Sequence, residues 1–237
     1  FYRKATHGEG FIRGFFNVIK SATTGTGAAL ERLFITGVSP VTMDDVTSGF
    51  NIGTNITNDS WFNDLVGFSE NELREMLEYY KEQGVLQESI DEIVAMMKPN
   101  YDNYCFSEDT LEQCMFNSDM ALYFLKSFVL HHKKPKEIVD PNIRTDFNKL
   151  AYLIKLDHGL GENFSVIKEI AEQGEIITDI VTHFSALEMT DPSNFKSLLF
   201  YFGLLSIKGV DMVGRPILHV PNLVVREQLF NFLIQGY

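Results

Sequence analysis

The residues of this chain whose types could do chemistry lie closest together between Arg32 and Asn55, in RLFITGVSPVTMDDVTSGFNIGTN. Leu33, Phe34 and Ile35 form an apolar run that ends in Thr36, Gly37, Ser39 and Pro40. A central parallel strand covered on both faces reads this way, and ligands of open α/β sheets bind outside the carboxyl ends of such strands. Thr36 and Ser39 would then place hydroxyls at the carboxyl end of such a strand. The plainer alternative is that Thr36 ends the strand and Ser39-Pro40 makes a tight turn. The turn at Thr47 to Ile52, TSGFNI, has the same alternative as a loop rich in local side-chain bonds, with Gly49 and Gly53 serving backbone geometry.

Other chemistries find little support. Phosphate cradling by a P-loop needs GxxxxGK[ST], which is missing. Lys20-Ser21 follows Ile19, and the GTG at 25–27 has no Lys behind it. No apolar strand ends in the acidic pair that would hold Mg²⁺. No Lys has Asp or Glu two positions before it, so a [DE]xK nuclease signature is missing as well. The six His and two Cys never fall at HExxH or paired-Cys spacing, which argues against zinc. Gly37-Val38-Ser39 begins like a nucleophile elbow but lacks the closing Gly and a following helix. Cys105 and Cys114 are too far apart in sequence for a CxxC pair, and reduced thiols are expected.

A strand such as 33–35 needs neighbours, and residues 1–30 offer only an amphipathic helix from Gly8 to Lys20 and a loose SATTGTGA stretch. Part of a domain is therefore expected to lie outside the chain. ITGVSPV, TSGFNI, FNDLVGFSENELREML, YDNYCFS, ALYFL, LLFYFGLLSI and ILHVPNLVVRE then follow in order. In content and order this series resembles the AAA-ATPase-like family, P-loop ATPase homologues of prokaryotes often fused to a C-terminal PD-(D/E)xK-type nuclease domain. The resemblance implies that this chain corresponds to the part after the Walker A and B motifs. It further implies Thr36, Ser39 and Arg32 as nucleotide-sensing positions. ATP and Mg belong to the complete family protein, and no cofactor is expected for this chain alone. The partners implied are an upstream P-loop half and a downstream nuclease-type domain.

The 237 residues are 45% hydrophobic and 22% charged, enough for a sizeable core. No apolar run reaches the roughly 18 residues a membrane helix requires, so a soluble, cytoplasmic protein is expected. A net charge of −12 disfavours a phosphate backbone. The basic run HHKKPK, His131 to Lys136, reads as a helix C-terminus before Pro135 rather than a nucleic-acid contact.

Ser69 and Glu72 form a capping-box pattern opening a helix that stops at Gly84. Further helices are expected at 89–98 ahead of Pro99, at 118–131, near 143–156 and 162–172, and from Asp191-Pro192 onward. Residues 176–181 read as strand or helix. Runs at 204–207 and 217–220 read as a hairpin, and Asn222 caps a last helix to about 235. The fold class expected is mainly α with few strands: a partial α/β P-loop core with a sensor strand (1–57), a helical lid (58–141), and a helical plus winged-helix-like subdomain (142–237). Acidity favours a packing role for that winged helix, since Lys208 and Arg215 are a thin basis for reading DNA. The competing readings are a non-catalytic helical interaction module, which could dimerise through an orphan strand at 31–37, and a winged-helix DNA-binding module.

Overall fold

A computed structural model of the protein describes residues 10–37, 53–140, 162–182, 184, 188–189 and 191–236. It is mainly helical, with seven α-helices and one three-stranded antiparallel sheet among the described residues. In chain order the helices are α1 (Phe11–Thr23), α2 (Glu70–Glu82), α3 (Ile90–Tyr101), α4 (Ser118–His131), α5 (Glu162–Gln173), α6 (Pro192–Tyr201) and α7 (Leu223–Gly236). The strands are β1 (Glu175–Ile177), β2 (Ser206–Val210) and β3 (Pro216–His219). The chain divides into two compact units, Phe1–Asn55 with Ile180–Phe202, and Ile56–Asp179 with Gly203–Tyr237.

Local chemistry starts and stops the helices of the larger unit. Ser69 Oγ accepts from the Glu72 amide and the Glu72 carboxylate accepts from the Ser69 amide, the reciprocal box expected from sequence, and Gly84 ends the segment at φ +71°. Asn117 Oδ1 accepts from the Met120 amide to open α4. At its other end His132 takes a left-handed conformation, φ 51°, and its amide donates to Phe128 O at 2.7 Å. His131 and His132 therefore end a helix, as the basic run suggested. The expected stop before Pro99 is corrected: α3 continues to Tyr101. Pro99 loses a single ladder bond near the helix end. Tyr101 beyond it is buried and donates its hydroxyl to Ile138 O at 2.9 Å, so tertiary anchoring outweighs the local break.

Leu73 and Leu77 of α2, Ile93, Val94 and Met97 of α3, and Ala121, Phe124, Leu125 and Phe128 of α4 interlock in one core with Val224 of α7. Phe124 stacks on Phe128 with ring centres 5.6 Å apart. Around its rim Arg74 pairs with Glu70 at 2.9 Å and with Asp91 at 2.7 Å, while Lys98 reaches Glu70 at 2.8 Å and so ties α2 to α3.

The sheet runs β1-β3-β2, with Ile176, Leu218 and Ile207 aligned across it as its buried row. Residues 176–177 thus settle as strand. The hairpin begins two residues later than expected, at Ser206, with a bulge between Ile207 and Gly209. α6 opens on Asp191, whose carboxylate accepts from the Ser193 amide, with Pro192 in its first turn. Within its unit, Ser197 Oγ accepts from the Val181 amide and the Tyr201 hydroxyl donates to Val181 O.

One expectation fails in the smaller unit. Leu33, Phe34 and Ile35 lie in backbone outside any strand and are 41%, 66% and 43% exposed, where a covered central strand was expected. A strand exists by its ladder, and among the described residues none pairs with this run. The helix expected near 143–156 falls outside the described residues.

Candidate functional site

Arg32 and Thr36 are both exposed and sit in irregular backbone. Ser39 and the TSGFNI turn lie outside the described residues, so the three predicted sensing positions are not brought together by described structure. The Gly25–Gly27 loop is described, and its setting opposes phosphate binding. It follows the C-terminus of α1, where the helix dipole is negative, whereas a phosphate cradle sits at a helix N-terminus. The nearby hydroxyls are turned to helix carbonyls: Ser21 donates to Asn17 O at 2.9 Å, and Thr23 and Thr24 each donate to Lys20 O at 3.0 Å. No cluster of His, Cys, Asp and Glu suited to a metal occurs among the described residues.

Among the described residues a polar constellation lies elsewhere, in YDNYCFS, Tyr101 to Ser107, which leaves α3 and bonds to β2 through Cys105. Asn103 takes φ 73°, a left-handed turn that Asn tolerates well, and its amide donates to Asp102 Oδ1 at 2.7 Å. That turn aims the Asn103 side-chain amide at Pro221 O, 3.0 Å away. Asn222 returns the link: its Nδ2 donates to Asp102 O at 3.0 Å while its Oδ1 accepts from the Val225 amide, opening α7. Burial pushes the Tyr104 pKa up, with the side chains of Asn222 and Asn117 opposing. The Cys105 amide donates to Ser206 Oγ at 2.7 Å, and Cys105 O accepts from the Ile207 amide at 3.3 Å.

On its other edge the same segment pairs with Met115, and the next residue, Phe116, pairs with Phe68. Tyr104 and Met115 exchange both backbone hydrogen bonds, at 3.1 and 2.7 Å, and Phe116 does the same with Phe68. Four parts of the larger unit thus meet at one seam: the ends of α3, α4 and α7, and strand β2. Burial raises the Asp102 pKa, opposed by its own contact with the Asn103 amide and by Lys98 at 4.0 Å. The seam's polar groups are used on one another, so its evident work is to join helices to sheet.

The basic residues of the hairpin are also engaged. Lys208 on β2 pairs with Glu175 on β1 across β3, and Arg215 pairs with Asp211 at 2.8 Å. Sequence reasoning noted the YDNYCFS segment without seeing its role. The signal available was Asp-Asn, a dipeptide at home in turns, directly after a buried Tyr. No family model, curated protein or solved structure matches the chain.

Proposed function

We propose that this chain is the lid and winged-helix-type portion of a protein of the AAA-ATPase-like kind, working as a packing and closing element for a nucleotide held by a separate P-loop half. The observation that carries the reading is connectivity. A helical cluster is followed by helix α5, strand β1, helix α6, the β2–β3 hairpin and helix α7, with the sheet ordered β1-β3-β2. That order resembles a winged helix, with one described helix rather than two between β1 and β2. Its hairpin basic residues are neutralised within the fold, and Phe195, Leu198, Leu199 and Phe200 of α6 are buried, which favours packing over reading DNA.

Thr36 and Arg32 enter this reading as exposed groups available to the P-loop half. The test is made in a protein that joins this chain to the P-loop half the reading requires. Thr36→Ala and Arg32→Ala are expected to slow ATP turnover several-fold with little change in ATP affinity; unchanged turnover in both variants removes the sensing role.

A second reading, a non-catalytic interaction module, is favoured by exposed apolar side chains on described segments. Phe34 is 66% exposed in the smaller unit, and Trp61 is 87% exposed in the larger, with Leu65 and Val66 also open. Sedimentation separates the two. Self-association abolished by Phe34→Ser would favour the module that dimerises through residues 31–37, and a monomer would favour the lid.

A further inference from the structure

Cys105 and Cys114 are nine positions apart in sequence but flank one antiparallel bridge. Tyr104 and Met115 form the bridge that exchanges both backbone hydrogen bonds. One step further along each arm of this antiparallel ribbon lies the pair Cys105 and Cys114. If the antiparallel pairing of the isolated Tyr104–Met115 bridge continues by one step, that pair is a non-hydrogen-bonded one, for which Cα atoms stand about 4.5 Å apart with side chains on one face. The other bonds of Cys105 agree, because its amide and carbonyl turn away from Cys114, toward Ser206 and Ile207. A disulfide requires Cα atoms roughly 4.4–6.8 Å apart.

Each thiol influences the other's proton: the neighbouring Cys114 is the largest influence drawing the Cys105 pKa down, and Cys105 is the largest raising that of Cys114. Cys105 Sγ also lies 3.1 Å from Ser107 O, and Cys114 Sγ lies 3.5 Å from Leu111 O. The loop between the two arms folds back on itself, with the Gln113 amide donating to Thr110 O at 2.9 Å. Cys105 is buried and Cys114 is partly exposed. One thiol can therefore meet a small oxidant, and the other stands ready to resolve the adduct.

We propose that Cys105 and Cys114 are a redox modification site, closing to an intramolecular disulfide by exchange with a low-molecular-weight disulfide such as oxidised glutathione. Cys114 releases its proton to the surrounding water as its sulfur attacks the external disulfide. That S–S bond breaks and one small thiolate leaves. Cys105 gives its proton to the departing thiolate and attacks Cys114 Sγ in the mixed disulfide, expelling the second small thiol. Two protein thiols are oxidised, one external disulfide is reduced to two thiols, and both protons end on those thiols, the first by way of water. The new bond pins the ribbon that borders the seam between helices and sheet, so closure stiffens the joint on which the larger unit depends.

The test equilibrates the full chain in glutathione buffers of graded oxidised-to-reduced ratio, blocks free thiols with an alkylating agent, and reads intact and peptide masses. The expected result is joint loss of both alkylatable thiols in a monomer whose mass before blocking falls by about 2 Da. A peptide pair linked through Cys105 and Cys114 should appear with it, and Cys114→Ser should prevent closure. A stable glutathione adduct on Cys114 in the unaltered chain would overturn the proposal. Disulfide-linked dimers would do so too, as would thiols that oxidise only after urea unfolds the chain.

Discussion

Asn222 joins the end of α3 to the start of α7 through one side chain, donating to Asp102 O and accepting from the Val225 amide. Removing that side chain orphans a buried carbonyl and uncaps a helix at once. Asn222→Ala should therefore lower stability by about 2–4 kcal/mol, read from urea midpoints; a loss below about 0.5 kcal/mol would mean the seam is not under tension at this residue. His219, also at residue scale, sits between Glu175 and Ser206 in the sheet register. Burial is the first cause that lowers its pKa below 6.5, with Lys208 second and Glu175 opposing. The fold thus accommodates the neutral ring. The sign follows: the unfolded chain binds this proton more readily, so the contribution is whole above pH 6.5 and is lost as pH falls through the lower folded value. The urea midpoint should fall between pH 7.5 and about 5, and His219→Gln should flatten that slope. An equal slope in both proteins would assign the dependence to other groups.

At the scale of elements, the ribbon formed by residues 67–68, 104–105 and 114–116 depends on close backbone approach. Gly67 has φ +94°, and a Cβ there would lie 2.9 Å from both Met115 Cβ and Phe116 O. Strain and overlap act together, so Gly67→Ala should cost about 2 kcal/mol or more, with Gly84→Ala, which meets open space at φ +71°, as the milder comparison. Equal stabilities for the two variants would contradict the close packing of the ribbon.

Elements declared by local chemistry were legible from sequence. The Ser69/Glu72 box, the Asp191-Pro192 start and the Asn222 cap all stand where side chains bond their own neighbouring amides. Elements decided by distant partners were not. Pro99 reads as a stop until Tyr101 is seen anchored at Ile138. Leu33–Ile35 read as a buried strand because apolar content carries no information on whether a ladder partner exists. The Cys105/Cys114 pairing was hidden for the same reason: register across a ribbon is a tertiary property, and spacing of nine matches no local motif.

At the scale of the whole molecule, a net charge of −12 and hairpin cations already paired leave little to attract a phosphate backbone. Duplex DNA titrated with the chain near 0.1 M salt should show no salt-dependent binding; binding abolished by Lys208→Glu with Arg215→Glu would restore the DNA-reading alternative. No helix among the described residues is long and apolar enough to cross a membrane. The described loop that most resembles a phosphate cradle by composition, Gly25–Gly27, lies at the wrong end of its helix. The lid reading assigns the holding of a nucleotide to a separate P-loop half.

That assignment is tested most directly by calorimetric titration of MgATP into this chain alone and into the chain joined to the P-loop half that the lid reading requires. The lid reading predicts no saturable heat from the first and saturable binding from the second. Saturable binding by the chain alone would contradict it.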